Sequence, residues 1–471
     1  MTKSKKLLNI SSTVNVGIVL TIIGVVFLIA AIVLFFNFGL APEKNLKNEE
    51  NPPLTAIAKP VYPDRTDYHS GGSQVVKQSL DKDFLNALQN FLWASSAKVL
   101  ATESSDPNQL YSPISLYMAL AMAADGSKNN TQMEILKALS MDDLNMSFVN
   151  EQTHQLFKNL YFNNEIGNLK IANSLWLSQD HHFNQSFLQK MSEDYYAYVY
   201  HADFKTEKTS AQINQWIADH TSGRLGTEGS KLAVDSKTMM ALINTTYFHD
   251  EWMSRFPSED TKEDQFYLED GSTVKGLFMN LTVQADFIQD DRYSAASLRF
   301  KNGGEMTFIL PDEGISPYEL AADSQLLTAM FSPARQKAIT DGEVIFKVPR
   351  FQYNNSEPGL KEVLTDMGLS TSFTTGADFS GFSKTKPLFI SDILQHTYLS
   401  IDEKGCEAAA YTAITLPTYG GPQSHKKSFE LTLNRSFIFV ITQDGGNLEE
   451  GSQAGTIPLF IGIVNNPFKG S

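Results

Sequence analysis

The sequence has one cysteine, Cys406, in 471 residues. An intrachain disulfide and a cysteine-cluster zinc site are both excluded, so stability has to come from packing. Positive charge is in deficit, because 38 Lys plus Arg stand against 53 Asp plus Glu for a formal charge of −15. Such a surface repels polyanions, and no nucleic-acid partner is expected. Catalytic signatures are missing too: there is no Gly-x-Ser-x-Gly elbow, no His-Glu-x-x-His, no Gly-x-x-x-x-Gly-Lys and no dinucleotide fingerprint. In Gly451-Ser452-Gln453-Ala454-Gly455 the serine stands one place too early for an elbow, and the segment reads as a turn before the last strand. His181 and His182 are adjacent and would point apart on a helix or a strand, so neither a metal nor another cofactor is expected.

Hydrophobic residues make up 42% of the chain and aromatics 11%, enough for a large core. The first long feature is the apolar run Val16 to Phe36, 21 residues interrupted only by Thr21. At about 1.5 Å per residue it spans roughly 31 Å, the thickness of a bilayer's hydrocarbon core. Lys3, Lys5 and Lys6 precede it, which puts the N-terminus in the cytoplasm and the rest outside. The expected organisation is a cytoplasmic N-terminus over 1–13, one transmembrane helix over 14–40, an extracellular Pro- and Gly-containing linker over 41–80, and a globular domain over 81–471. A cleaved signal peptide, with secretion, is the alternative.

Within the globular part, helical periods at Ser115 to Ala124 and Ser210 to His220 mark the first half. Strand patterns mark the second: Met306 to Pro311, Val344 to Tyr353, Tyr398 to Asp402, Phe429 to Leu433, Phe437 to Thr442 and Ile457 to Val464. Helices and strands in separate blocks, without a repeat or an internal linker, predict a single α+β domain with a mostly antiparallel sheet.

Seven phrases then occur in order. They are Asn108-x-x-Tyr111-Ser112-Pro113-x-Ser115-Leu116 running on to Gly126, Ile171-Ala172-Asn173-Ser174-Leu175-Trp176, Ile213-Asn214-x-Trp216-Ile217, and Leu242-Ile243-Asn244-Thr245-Thr246-Tyr247-Phe248 with Trp252 and Phe256. Gly376-Ala377-Asp378-Phe379-Ser380-Gly381, Ile401-Asp402-Glu403-Lys404-Gly405 and Pro458-Leu459-Phe460-Ile461-Gly462-Ile463-Val464 complete the set. Together they resemble the serpin family of serine protease inhibitors over Phe84 to Pro467. One departure is Asn434-Arg435-Ser436-Phe437, where the family usually has proline at the third place.

After Gly405, two-residue alternation separates Cys406, Ala408, Ala410, Thr412, Ile414 and Leu416 from Glu407, Ala409, Tyr411, Ala413, Thr415 and Pro417. The first set is small or apolar throughout, the pattern of a strand with one buried face, and it stands in a loop position ahead of Gly420-Gly421-Pro422. The segment reads as a strand waiting to join a sheet. The resemblance implies a reactive-centre loop that a target serine protease, or a cysteine protease, attacks as a substrate, and whose insertion into the central sheet then traps the acyl-enzyme. Roughly 14 residues at about 3.3 Å each would carry the loop's end some 45 Å. About a dozen new ladder hydrogen bonds at a net ~0.5 to 1.5 kcal/mol each make insertion favourable by an order of 10 kcal/mol.

By the same resemblance, Glu403, Gly405, Cys406, Ala408, Ala409, Ala410 and Thr412 form the loop hinge. Ser112, Ser115, Asn244 and His396 form a polar latch beneath the sheet, and Trp252, Arg350 and Glu403 meet at its top, where Glu403 pairs with Arg350. The family register puts the scissile bond between Tyr419 and Gly420, which suits chymotrypsin-like or subtilisin-like enzymes. Cys406 is expected to enter the sheet first; either its oxidation slows insertion, or it merely replaces the small hydroxyl residue usual at this place and is never modified. The chain is expected to be a monomeric inhibitor rather than an enzyme, with the lipid bilayer as a second partner. A non-inhibitory serpin (chaperone, carrier or adhesion module) and a membrane-anchored hydrolase using Ser115, His396 and Asp402 are the alternatives.

Overall fold

A computed structural model describes residues 54–64, 77–102, 108–226, 234, 236, 238–332, 338–356, 359–384, 388–406, 428–446 and 456–469. The chain divides into two units, Met1–Thr55 and Ala56–Ser471. Of the first, only Leu54 and Thr55 are described, so the apolar run Val16 to Phe36 lies outside the described residues. Among the described residues no helix is long and apolar enough to cross a membrane.

In the second unit the helices are α1 (Lys82–Leu100), α2 (Pro113–Gly126), α3 (Asn129–Ala138), α4 (Met146–Leu160), α5 (Gln185–Asp194), α6 (Glu207–His220), α7 (Pro317–Ala322), α8 (Ser324–Met330) and α9 (Leu360–Asp366). The strands are β1 (Gln109–Tyr111), β2 (Phe162–Asn163), β3 (Asn168–Ser178), β4 (Ala197–Ala202), β5 (Met240–Glu251), β6 (Lys262–Tyr267), β7 (Thr273–Gln289) and β8 (Tyr293–Arg299), then β9 (Glu305–Pro311), β10 (Thr340–Pro349), β11 (Phe351–Ser356), β12 (Asp392–Ile401), β13 (Gly405–Cys406), β14 (Ser428–Thr432), β15 (Phe437–Asp444) and β16 (Thr456–Val464).

The strands form two sheets. One runs β11-β12-β13-β5-β3-β2 with β4 on β3, and the other runs β1-β16-β15-β9-β8-β7-β10-β14 with β6 on β7. Pairing is antiparallel except at β5–β12, β3–β4 and β10–β14. This is the α+β architecture the block pattern predicts, with one difference: β3 and β5, the centre of the first sheet, lie in the half whose helices dominate the sequence pattern. Nearly all their residues are buried on both faces, so no two-residue alternation betrays them. Helix α2 is likewise hydrophobic all round, and every one of its residues is buried. Pro113 at its first turn lacks the amide hydrogen that a helix start cannot satisfy anyway.

The linker expectation over 41–80 needs correction. Ile57 donates its amide hydrogen to Val199 O at 2.7 Å, and Val199 returns one to Ala58 O at 3.0 Å, extending β4 outward. Ala58 is buried, and the Tyr62 ring stacks on Tyr161 at 5.2 Å and on Tyr196 at 6.0 Å. The outer edge of β4 presents unpaired backbone groups beside an aromatic surface, and this segment satisfies both. The folded unit therefore begins at Ala56.

Candidate functional site

The features of interest lie along the seam between β5 and β12. These strands pair directly and in parallel from Ala241–Asp392 to Thr246–Thr397. Above that stretch β13 stands between them, with Cys406 opposite Ile401 on one side and Asp250 on the other. Ile401 and Asp250 lie four residues above Thr397 and Thr246, so the direct pairing and the wedge share one register.

Beneath the seam, the start of α2 supplies Ser112 and Ser115. Ser115 Oγ donates to Asn244 Oδ1, and Asn244 Nδ2 donates to Asn173 Oδ1. Ser112 N donates to Gln395 Oε1 at 2.9 Å, and Gln395 Nε2 donates back to Ser112 O at 2.8 Å. All five residues are buried. Ser115 and Asn244 are thus hydrogen-bonded, with Ser112 at the start of the same helix, whereas His396 does not join them. It pairs in register with Thr245, next to Asn244, and alternation turns both toward the opposite face. Gln395, absent from the expected set, binds the Ser112 backbone in its place. A Gln next to a His gives no signal of which one faces inward until the register is known.

The opposite face is the one α6 covers. Trp176 and Tyr200 share it with Ala241 through their pairings, and Tyr198 on the same face meets Trp216 of α6 edge-on at 6.2 Å. Thr245 and His249 follow Ala241 at even spacing and lie there as well. Burial lowers the pKa of His396. It also lowers that of His249, against the pull of Glu251 and Asp402.

At the top of the sheet Arg350 and Glu403 form an ion pair, and Thr261 Oγ1 donates to the same carboxylate oxygen at 2.7 Å. Burial raises the Glu403 pKa, but hydrogen bonds from Arg350 and Thr261 outweigh it and hold the carboxyl below its ordinary range. Trp252 Nε1 donates to Asp402 O at 2.9 Å, and its ring stacks on Phe300 at 4.4 Å. The turn into β13 is shaped by Asp402 Oδ1, which accepts from the amides of Lys404 at 2.8 Å and Gly405 at 3.2 Å. A Cβ at Gly405 would stand 2.1 Å from Asp250 O, so only glycine fits there. Beside it the Asp250 carboxyl is pushed up to about 7 by burial, although Asn302 and Glu251 donate to it.

Cys406 needs a correction. Its thiol is buried against Phe248 O at 3.6 Å, inside the sheet, rather than waiting to enter it. A reagent in solvent cannot reach a sulfur so placed, which removes the basis for an oxidation brake. Ala408, Ala409, Ala410, Thr412, Tyr419 and Gly420 lie outside the described residues. The Ser115, His396 and Asp402 hydrolase grouping does not assemble, since Ser115 and His396 serve opposite faces of the sheet.

Residues 87–467 match the family profile of serpins, described as serine protease inhibitors. The chain belongs to the serpin family. An alpha-1-antitrypsin of Mus musculus (alpha-1-antitrypsin 1-4) is 29% identical over 378 residues, covering 78% of this chain and 85% of that one. An uncharacterized serpin-like protein of Thermococcus kodakarensis is 29% identical over 404 residues, covering 84% and 88%. Among solved structures, the thermophilic serpin tengpin in its native state superposes with a TM-score of 0.70 at 28% identity, covering 85% of this chain and 97% of that one. A serpin of the insect Tenebrio molitor superposes at 0.68 with 26% identity, covering 82% and 98%. Serpins are in general protease inhibitors rather than enzymes, and this chain is one of that family.

Proposed function

We propose that the protein is an inhibitory serpin that traps a serine protease as an acyl complex by inserting its cleaved loop between β5 and β12. The observation that carries this reading is the shared register of the seam. A strand continuing from Cys406 meets β5 and β12 without sliding either one, and only the six direct pairs from Ala241–Asp392 to Thr246–Thr397 have to be replaced. Continued downward, that register sets Ala408 between Phe248 and Leu399, Ala410 between Thr246 and Thr397, and Thr412 between Asn244 and Gln395. Ile414 then falls between Leu242 and Ile393, and Leu416 reaches the foot of β5 at Met240. Small residues meet the crowded upper positions, a hydroxyl meets the polar latch, and branched residues meet the apolar base. The scissile bond follows Tyr419, favouring chymotrypsin-like or subtilisin-like targets. Val16 to Phe36 holds the protein at the cell membrane as a single-pass anchor, with the inhibitor outside.

The test is incubation of the full-length chain with chymotrypsin. A denaturant-resistant covalent complex and a released C-terminal peptide beginning at Gly420 are expected. A peptide beginning at Ser428 would move the bond to Lys427 and the target class to trypsin-like, and cleavage without any complex would refute the trap.

A further inference from the structure

Where β10 leaves β7 the two chains part, and a cleft opens beside the corner. Pro349 is the last β10 residue paired with β7, opposite Phe278, and Arg350 N still donates to Leu277 O at 2.8 Å. The chain then joins the other sheet, with Phe351 opposite Ile401 and Gln352 opposite Ser400 of β12. From Leu277 back to Thr273, β7 is paired with β6 alone. Backbone cannot fill the angle between two segments that diverge, and the cleft encloses about 410 Å³. That volume lies within the ~300–1,000 Å³ of small-molecule sites.

The lining is of two kinds. Leu277, Phe351 and Phe468 form an apolar wall. Leu277 is 43% exposed, a large apolar side chain that a bound apolar group would take out of water. The Phe468 ring stands edge-on to Phe278 at 6.0 Å. It reaches the wall because its neighbour there is Gly276, where a Cβ would stand 2.2 Å from the ring. The rim carries Lys275 and Arg350, and among the described residues no acidic side chain lines the cleft.

Each cation has an acidic neighbour that leaves it available. Lys275 and Glu263 stand 3.9 Å apart with side chains 64% and 67% exposed, a pairing that contributes little and that a ligand can replace. Arg350 gives Nη2 to Glu403, whose side chain is 8% exposed and also accepts from Thr261. The Arg350 side chain itself is 45% exposed and turns the rest of its fork of donors to the cleft.

We propose that this cleft is a binding site for a small organic anion with an apolar body, an aryl or acyl carboxylate. Its charge lies between Lys275 and Arg350, and its body covers Leu277 and Phe468. A bare inorganic anion would leave the apolar wall wet, and a neutral hydrocarbon would leave both cations unused, so only the combination engages the whole lining. Gln352 and Ser400 add an amide and a hydroxyl to the rim as further donors to the carboxylate. The site stands apart from the loop and does not rest on its insertion.

The experiment uses the full-length chain and 4-benzoylbenzoate, an aromatic carboxylate whose ketone inserts into nearby C–H bonds under near-ultraviolet light. Labelled residues are located by peptide mass spectrometry. Saturable labelling within residues 275–277 or at Phe468 is expected, displaced by 2-naphthoate but not by sulfate at equal concentration. The uncharged 4-methylbenzophenone should need a concentration about 10-fold higher or more for the same labelling. Lys275→Gln should raise the half-saturating concentration about 5- to 20-fold, and Leu277→Ala about 3- to 10-fold. Both variants should melt as wild type, because both side chains are exposed and lie outside the Arg350–Glu403 pair. Labelling that never saturates in the cleft, an uncharged probe that labels it as readily, or variants that both bind as wild type would overturn the site.

Discussion

Gln395 and His396 are neighbours in sequence, and the structure gives only the first a place in the latch. Replacing Gln395 with Leu keeps a side chain of similar size but removes both bonds to the Ser112 backbone. Ser112 N and O would then be buried without their present partners, at about 1–3 kcal/mol each, or about 2–6 kcal/mol together. An unfolding entropy near 2.1 cal/mol/K per residue over the roughly 400 residues of the folded unit converts this to roughly 1.2 °C per kcal/mol, hence a fall of about 2–7 °C in melting temperature. His396→Phe keeps a ring and gives up no hydrogen bond at Nε2, so it should melt within about 2 °C of wild type. The assay is thermal unfolding of the intact protein, read by near-ultraviolet circular dichroism at one fixed scan rate, because the midpoint depends on scan rate wherever unfolding is irreversible. Gln395→Leu should also lose inhibitory activity faster on storage, as the seam opens without cleavage. If His396→Phe proved the more destabilising of the two, the assignment of the latch from the register would be wrong.

Gly405→Ala brings a methyl group to 2.1 Å from Asp250 O. It should expel β13 from the seam and turn the protein from inhibitor into substrate, seen as cleaved loop without covalent complex on a denaturing gel. Asp250 titrates at about 7 in the fold against an ordinary 3.8, so the native state holds the proton more tightly. The stability this gives is fully present below pH ~4 and is lost as pH rises through ~7. The melting temperature should therefore fall between pH 5.5 and 8, a slope that Asp250→Asn flattens. Glu403 and Glu251, whose carboxyls are held low, act in the opposite sense and only at more acid pH, so an unchanged slope in Asp250→Asn would count against its burial. Tyr419→Arg should shift inhibition from chymotrypsin toward trypsin, and chymotrypsin inhibition persisting undiminished would displace the scissile bond.

The amino-acid sequence by itself determined the class of fold, through strand and helix patterns in separate blocks and through seven ordered phrases. It also determined the chemistry available at the turn into β13 and after it: a glycine at 405, an acidic Glu403, and alternating small residues beyond Cys406. These are local properties, legible because a two-residue period and a residue's size do not depend on what lies across the sheet. Only the tertiary structure decided that Gln395 and not His396 faces Ser112, because facing is set by the register of β12 against β5, strands that start about 150 residues apart in the chain. The same holds for Cys406, whose place inside the sheet follows from the Gly405 turn fitting against Asp250. Ile57 and Ala58 look like linker in the sequence because one short polar-flanked segment carries no pattern of its own. They are strand-paired because β4 offers an open edge and Tyr62 finds an aromatic wall beside it. Pairing across a sheet is a property of two distant segments at once, and neither segment's sequence contains it.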